Sequence, residues 1–255
     1  MIITKSNVLL GLTPVVSEGA STNDEANITD PDFSTSYISS NQSNLTADFG
    51  VIPNISYIAV AGVNIAATLN NGGITVLDGV TTIKTNFIDR NNCVVITFAT
   101  RTFTNLRIRL FNNNATLNPQ CHFMAAGLHF EVPNSGENAG YNRQFLNRNF
   151  KNKTTVNENA APTALLRNKT PAKGSLKLQN ISKAFSENEW QDFLDFAFSN
   201  YFFIRENDGT IISETKENNQ SAYLCYEMEG NSVTAHDSTR LLNNISVKFK
   251  VFNGL

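Results

Sequence analysis

The chain has 255 residues, of which 41% are hydrophobic and 16% are charged, so it can bury one large core or two smaller ones. Its formal net charge of −2 excludes general nucleic-acid binding through bulk electrostatics. The charged fraction lies well below the roughly 25% of typical soluble domains, and 36 Asn residues supply much of the polarity instead. Uncharged amides suit permanent contacts because they bond without the desolvation cost of an ion, although coding bias explains an Asn-rich composition equally well.

Charge is polarised along the sequence. No Lys or Arg occurs from Ser6 to Ile83, where the acidic residues include Glu18, Asp24, Glu25, Asp30, Asp32 and Asp48. From Tyr141 to Lys177 a single acid, Glu158, faces the bases Arg143, Arg148, Lys151, Lys153, Arg167, Lys169, Lys173 and Lys177. We expect this basic segment to be an assembly arm that lies against the acidic residues 18 to 48 of a neighbouring subunit in a head-to-tail ring. The alternative is a solvated linker.

The first half predicts short strands between polar turns. They are Ser56 to Val63, Gly73 to Leu77, Cys93 to Ala99, Leu106 to Phe111 and His122 to Val132. Because no helical pattern separates them, we expect an antiparallel sandwich rather than βαβ units. The N-terminus lacks the charged start and long apolar run of a signal peptide, and no stretch has the length of a membrane span, so we expect an unprocessed protein made in the cytoplasm and no membrane insertion.

The apolar density falls after Pro133 and rises again at about Ser175. This pattern predicts a sandwich over residues 1–133, an extended basic linker or arm over 134–174, and a small C-terminal α+β domain over 175–255. Ser186 and Glu189 have capping-box spacing, which predicts one main helix over Glu187 to Ser199. The aromatic residues at its end predict a helix that protein nearly surrounds. The strands predicted here are Ser175 to Ile181, Tyr201 to Arg205, Thr210 to Ser213, Ser221 to Met228 and Asn244 to Phe252.

Residues that could carry catalysis are scattered. The histidines His122, His129 and His236 lack metal-motif spacing, and no nucleophile elbow or phosphate-binding glycine loop occurs. Three cysteines in apolar surroundings fit small buried hydrophobic residues better than a disulfide framework. We therefore expect a protein that is not an enzyme and that needs no cofactor.

The segment from Ala26 to Tyr37, ANITDPDFSTSY, resembles the Asp-Gly-Asp-x-x-Thr-x-Trp stretch near the start of discoidin domains. These are also called factor V/VIII C-type or galactose-binding-like domains. Leu45 to Gly50, Asn105 to Arg109 and Ala125 to Val132 resemble later strands of that family, in the same order. The resemblance covers about residues 1–133. It implies a mainly β fold that begins with an antiparallel jelly-roll sandwich of the galactose-binding-like type.

In carbohydrate-binding members of that family a structural calcium ion is bound by the early aspartate-rich loop and by a glutamate in the last strand. The resemblance carries this role to Asp30, Asp32, Thr35 and Glu131, and hard oxygen ligands suit calcium. Pro31 replaces the glycine of the family, fixes a backbone angle and removes a donor. The alternative is that the two aspartates cap a turn through their own backbone. The resemblance also implies that Tyr37 is a buried aromatic residue.

The order of sandwich, Asn-rich arm and small domain resembles minor tail and baseplate-associated proteins of tailed bacteriophages. This resemblance implies a virion structural protein in the tail, which assembles as a homo-oligomeric ring with other tail proteins and displays the sandwich towards a host surface glycan. The alternative is a free-standing carbohydrate-binding, lectin-like protein. A fold alone does not decide between them.

Overall fold

The computed structural model is mainly β, with antiparallel sheets and one α-helix. It describes residues 1–21, 24–32, 34–41, 43–65, 72–87, 93–112, 118–133, 150–156, 162–169, 172–205, 222–235 and 242–252. For 150–156, 162–169, 172, 231–235 and 242 it describes the backbone alone. The predicted mainly β fold with an antiparallel sandwich and one main helix is confirmed.

The elements follow one another along the chain. The first ten strands are β1 (Ile2–Thr4), β2 (Val15–Glu18), β3 (Tyr37–Ile38), β4 (Asn44–Ala61), β5 (Gly72–Asp78), β6 (Thr81–Phe87), β7 (Cys93–Asn112), β8 (Gln120–Cys121), β9 (Phe123–Gly127) and β10 (His129–Glu131). A 3-10 helix spans Glu25–Ile28. The remaining elements are β11 (Phe150–Val156), β12 (Pro162–Lys169), β13 (Ala172–Ser182), α1 (Lys183–Ala197), β14 (Phe202–Arg205), β15 (Ala222–Ala235) and β16 (Leu242–Val251).

Two long strands, β4 and β7, build both layers of the sandwich. The first half of β4 pairs with β2 on one side and with β7 on the other, and β7 then pairs with β5, which pairs with β6. The second half of β4 pairs with β9. The register shifts between Asp48 and Tyr57, where Gly50 has a φ of 68°. Leu45 and Ile108 share one core with Ile58 from the far half of β4. The two halves of these strands therefore pack against the same apolar core.

A second sheet has the order β10-β1-β14-β15-β16-β13. Its strand β1 comes from the extreme N-terminus and pairs with β10 on one side and β14 on the other. Helix α1 covers one face of this sheet, where Trp190 and Phe193 pack with Phe130, Phe202 and residues of β13 and β16. The sheet therefore joins segments of the predicted first and third domains.

The sandwich and the second sheet meet through a third apolar cluster. Tyr57, Phe123 and Val95 from the sandwich pack with Phe203 and Leu224 from the second sheet. The Phe123 and Phe203 rings stack with centroids 6.2 Å apart. This cluster makes the sandwich and the C-terminal sheet one packed body.

Hydrogen bonds cross the same junction. The guanidinium of Arg205 donates to the Val95 carbonyl at 3.0 Å and to the Thr97 hydroxyl at 3.1 Å. Within the second sheet, the backbone N–H of Phe203 in β14 donates to the Thr4 hydroxyl in the neighbouring β1 at 2.8 Å. These bonds satisfy polar groups that the packing removes from water.

The predicted helix start was wrong. Ser182, not Ser186, is the N-cap and accepts from the Phe185 backbone N–H. Ser186 is instead buried inside the helix, where its hydroxyl donates to the Lys183 carbonyl and accepts from the Asn243 amide. The expectation that protein nearly surrounds the helix was also wrong, since Phe198, just after its last turn, is 60% exposed and a polar face points to solvent.

Two further differences concern strand limits. Cys93 to Ala99 and Leu106 to Phe111 were predicted as separate strands, but β7 is continuous because its middle still pairs with β4 at Ile52 and Ile55. The described part of the predicted arm contains a two-stranded antiparallel ladder of β11 with β12, and β13 begins before the predicted boundary. The predicted strand Thr210 to Ser213 lies outside the described residues.

The three cysteines are free and buried, as predicted. One lies in each apolar cluster: Cys121 in the sandwich core, Cys93 at the junction and Cys225 in the core of the second sheet. Burial raises the pKa of each thiol above its ordinary value. In the described ranges, no helix has the length and apolar character needed to cross a membrane.

Candidate functional site

One face of the sandwich sheet carries an ordered set of polar and aromatic side chains. We define the outer face as the side of β2, β4, β7, β5 and β6 that points away from the core residues Leu110 and Ile108. Its first row runs Asn44, Phe111, Gly73, Phe87 across four strands. Its second row runs Thr46, Arg109, Thr75, Thr85 across the same strands.

The two rings of the first row meet above a glycine. Phe87 and Phe111 both pair with Gly73, and their centroids lie 5.9 Å apart in an edge-to-face arrangement. A Cβ on Gly73 would lie 2.6 Å from the Phe111 ring and 2.5 Å from the Asn86 carbonyl oxygen. The missing side chain therefore lets the rings approach each other. Both rings remain partly accessible to solvent.

Arg109 of the second row is fixed in place by its neighbours. Its Nε lies 3.2 Å from the Glu18 carboxylate, which also accepts from the Thr46 hydroxyl at 2.6 Å. With the Asn44 amide oriented so that its oxygen faces the guanidinium, that oxygen accepts from Arg109 Nη2 at 3.0 Å. The Thr75 and Thr85 hydroxyls bond to each other at 3.1 Å on the other side. Donors and acceptors thus lie in fixed positions beside the rings.

A second ion pair continues along β7. Arg107 Nε lies 3.6 Å from the Asp48 carboxylate, and Arg107 Nη2 donates to the Ser17 hydroxyl at 3.0 Å. Asp48 also accepts from the Asn105 amide at 3.2 Å. The guanidinium and the carboxylate are both about three-quarters buried.

A third ion pair of β7 lies outside the outer face, because Asp78 pairs with the core residue Leu106 and Arg101 lies over the buried Phe103. Arg101 Nη2 donates to Asp78 at 3.1 Å and its guanidinium carbon lies 4.9 Å from the centre of the Phe103 ring. The other Asp78 oxygen accepts from the Asn105 and Thr104 backbone N–H groups and from the Thr104 hydroxyl. These bonds, above all those from Asn105 and the Thr104 hydroxyl, hold the pKa of Asp78 below its ordinary value. Each of these three arginines of β7 therefore has its own carboxylate partner.

The predicted acidic partner surface is engaged within its own chain. Glu18 and Asp48 pair with the arginines of β7, as above. Asp24 caps the 3-10 helix by accepting from Ala26 N–H, and Glu25 accepts from Val16 N–H at 3.3 Å. Asp30 accepts from Asp32 N–H, and Asp32 accepts from Ser34 N–H. The Ser34 side chain, and after it this N–H, lower the pKa of Asp32. Their use in a contact between subunits stays a prediction.

The predicted calcium ligands come from one loop and one strand of the described chain. Asp30, Asp32 and Thr35 share one loop, in which the Thr35 hydroxyl donates to the Asp32 carbonyl at 2.8 Å. Glu131 is exposed in β10, where it pairs with Ile2. Within the described ranges, no group of three His, Cys, Asp or Glu side chains could hold a metal. The two aspartates form the turn bonds of the alternative, and calcium binding stays a prediction of the resemblance.

The structure describes the side chains of only two basic residues of the predicted arm, Lys173 and Lys177. Arg143 and Arg148 lie outside the described residues, and Lys151, Lys153, Arg167 and Lys169 lie in β11 and β12, where only the backbone is described. Lys173 is exposed and lies 3.8 Å from Glu229 of its own chain, and Lys177 is exposed. The assembly role of these residues also stays a prediction.

Tyr37 and two of the three histidines lie among the described residues. Tyr37 is buried, donates to the Gly19 carbonyl and accepts from Ser21 N–H at 2.9 Å. His129 Nδ1 lies 2.8 Å from the Ser56 hydroxyl, and burial, together with Arg205, lowers its pKa. His122 is buried in the sandwich with its Nε2 beside the Gln120 amide. His236 lies outside the described residues.

No protein-family profile matches this chain, and no curated protein sequence matches it significantly. Its fold was also compared with solved structures. A chitosan-binding module 1 from a chitosanase/glucanase of Paenibacillus sp. IK-5 has a TM-score of 0.39 and 15% identity, and the match covers 48% of this chain and 98% of the module. A Streptococcus pneumoniae fucose-binding module has a TM-score of 0.37 and 13% identity, with coverages of 50% and 99%.

The lectin-binding domain of lectinolysin, solved with Lewis b, has a TM-score of 0.38 and 12% identity, with coverages of 49% and 96%. These similar structures are carbohydrate-binding modules. At such scores and identities the likeness does not define the ligand of this chain, and the fold rests on the sheets described above. The bacteriophage-tail expectation receives no support from the comparisons and stays a prediction.

The sequence predictions missed the residues of the outer face. Arg107 and Arg109 entered only as part of a resemblance, and Phe87, Phe111 and Gly73 were not considered as a site. One signal was present, because Arg107 and Arg109 alternate with Leu106, Ile108 and Leu110 in one strand-like run. The partner strands, and therefore the rows, could not be inferred without the register.

Proposed function

We propose that this protein binds carbohydrate through the outer face of its sandwich. The observation that carries the proposal is the pair of partly exposed rings, Phe87 and Phe111, next to the fixed groups of Arg109, Asn44 and Glu18. A sugar presents apolar C–H patches and hydroxyls that both donate and accept. Aromatic rings cover such patches, while planar polar side chains bond neighbouring hydroxyls in fixed directions.

The electrostatics of the face favour a neutral sugar. Arg109 and Arg107 are matched by Glu18 and Asp48, so the face has no excess of either charge in these pairs. An anionic sugar would have to compete with a carboxylate already bound to each guanidinium. A neutral hydroxyl can instead join the network, since Arg109 offers N–H donors and Glu18 offers acceptor lone pairs.

Pre-organisation supports the same proposal. Weak ligands such as monosaccharides make few contacts, so they cannot compensate for ordering many side chains on binding. Here Gly73 brings the rings together, and the Thr46 hydroxyl holds Glu18 against Arg109 before any ligand arrives. Little conformational entropy then remains to be lost when a sugar binds.

The test is a glycan array probed with the full chain, followed by calorimetric titration of the best neutral ligand. We expect Arg109→Gln to weaken binding at least about tenfold, because hydrogen bonds from a charged group contribute roughly 1.5–3 kcal/mol. The matched control is Arg101→Gln, which breaks the same kind of ion pair in the middle of the same strand, outside the outer face. Equal affinity of Arg109→Gln and the wild type, or equal losses in both variants, would contradict the proposal.

The virion role is a separate prediction that this proposal does not need. A ring would be detected as a multiple of 28.1 kDa by light scattering, whether or not sugar is bound. The expectation that the chain is not an enzyme also stays a prediction.

A further inference from the structure

The second sheet is covered by α1 on one face, whereas its other face is exposed along β13 and β16. Val247, Phe249 and Leu176 pack in the core beneath α1 and are buried. Because side chains alternate along a strand, the residues between them point to the opposite side of the sheet. We call that side of the two strands the lysine face, which carries Lys173, Ser175, Lys177, Ser246, Lys248 and Lys250.

The register brings the lysines of the two strands close together. Lys173 pairs directly with Lys250, and Lys248 is the neighbour of Lys250 on the same side of β16. Residues directly opposite each other in a sheet have Cβ atoms about 4.5–5.5 Å apart, and every second residue of a strand is about 7 Å further along. Like charges at such separations repel one another, so an anion that lies between them relieves the repulsion.

Two carboxylates of β15 offset part of this charge. Lys250 forms an ion pair with Glu227, and Lys173 Nζ lies 3.8 Å from the Glu229 carboxylate. The other two lysines of the face have no ion-pair partner among the described side chains, and both are exposed. Four ammonium groups are therefore matched by two carboxylates, which leaves a positive surplus on the described part of the face.

The groups around the lysines suit a sugar chain. The Ser175 and Ser246 hydroxyls alternate with the lysines, and Tyr226 pairs with Lys250 at one end of the face. Among the described residues, the large exposed hydrophobic side chains lie elsewhere, whereas proteins that bind a lipid surface place apolar anchors beside their basic residues. The Tyr226 ring has one aromatic neighbour, Tyr201, at 5.9 Å, so the face lacks the series of stacking platforms that single-stranded nucleic acids use.

We propose that the lysine face is a second binding site, which takes an acidic polysaccharide with carboxylates on its sugar units. A linear polyanion bonds several ammonium groups at once, so weak contacts add up. Lys173 and Lys250 already bind carboxylates of this chain. A second copy of the chain is a poorer partner, because its Glu18 and Asp48 already pair with arginines of β7. This site lies on another sheet than the outer face and does not depend on neutral sugar binding there.

The test titrates hexagalacturonate, its methyl ester and an oligothymidylate into the full chain by calorimetry. The ester has the same sugar backbone without the charges, and the oligothymidylate has phosphate charges on a nucleic acid. We expect the acid to bind at least about tenfold more tightly than the ester at low salt, with a smaller difference at high salt because ions screen exposed charges. Equal affinity of acid and ester, or tighter binding of the oligothymidylate, would overturn the proposal.

Amide NMR of the full chain locates the bound hexagalacturonate. We expect shifts in residues 173–177 and 246–250, which belong to the paired segments of β13 and β16. Shifts confined to the outer face, in residues 72–75, 85–87 and 109–112, would overturn the proposal while leaving the carbohydrate-binding function in place. Conversely, a loss of neutral sugar binding at the outer face would not change the shifts expected here.

Two exposed charges provide variants with opposite expected effects. Lys248→Gln should weaken hexagalacturonate binding about two- to fivefold at low salt. Glu229→Gln should strengthen it by a similar factor, because it frees the ammonium group of Lys173. The matched controls are Lys183→Gln and Glu187→Gln, which make the same charge changes on α1, at the other side of the sheet. The proposal is wrong if each variant has the same affinity as its control.

Discussion

Truncation of Phe203 to alanine tests whether the sandwich and the second sheet are one cooperative unit. The side chain is 1% exposed, stacks on Phe123 and packs in the junction cluster. Replacing a buried phenylalanine by alanine lowers the free energy of unfolding by about 3–5 kcal/mol in protein cores. For a single unit of this size, each kcal/mol lowers the melting temperature by about 2–4 °C. We therefore expect a fall of about 6–20 °C in one transition.

The cysteines report on the three parts of the molecule separately. Cys121, Cys93 and Cys225 lie in the sandwich core, the junction and the core of the second sheet. Thiol labelling at increasing denaturant, followed by mass spectrometry of each peptide, measures the unfolding of each part. In Phe203→Ala all three thiols should become reactive at the same, lower denaturant concentration.

The matched control for this prediction is Phe198→Ala, because Phe198 is exposed and its loss should change stability by less than about 0.5 kcal/mol. The reasoning is refuted if Cys121 keeps its wild-type protection while Cys93 and Cys225 become reactive. That result would mean that the sandwich is stable without the junction.

Three further predictions concern single bonds. Thr4→Val leaves the buried N–H of Phe203 without its acceptor and should cost about 1–3 kcal/mol by chemical denaturation, while Thr4→Ser should retain most of the stability. Ser182→Ala removes the observed N-cap of α1 and should cost about 1 kcal/mol, whereas Ser182→Asp should be nearly neutral; equal stability of all three proteins would contradict the assigned cap. Burial and Arg205 lower the pKa of His129, so the unfolded chain takes up its proton first as the pH falls below about 6.5, and folded stability should decline there. His129→Gln should reduce that decline, and an unchanged pH profile would argue against this role.

The sequence was informative wherever a local pattern decided the structure. The strand at Gly73 and the strand at Ser175 follow apolar periodicity between turn residues, and both are present within a few residues of their predicted limits. The buried cysteines followed from their apolar neighbours for the same reason. In contrast, β1 has three residues and no periodicity, and its pairing with Arg205 joins opposite ends of the chain. Such a contact leaves no local signal.

The candidate site was harder to predict because it depends on register. Glu18 and Asp48 occur in a stretch without Lys or Arg, so the sequence suggested a partner from another subunit. In the folded sheet their partners are Arg109 and Arg107 of β7, which are distant in sequence and adjacent in space. Gly73 alone did not indicate a pair of rings, because its role depends on pairing with Phe87 in β6 and with Phe111 in β7.

Amide NMR mapping of a neutral sugar on the full chain is the most direct test of the proposed function. The account predicts that the shifts cluster at one end of the outer face, in residues 72–75, 85–87 and 109–112, and that Arg109→Gln greatly reduces them. Shifts confined to other parts of the described chain, or shifts that persist unchanged in Arg109→Gln, would contradict it.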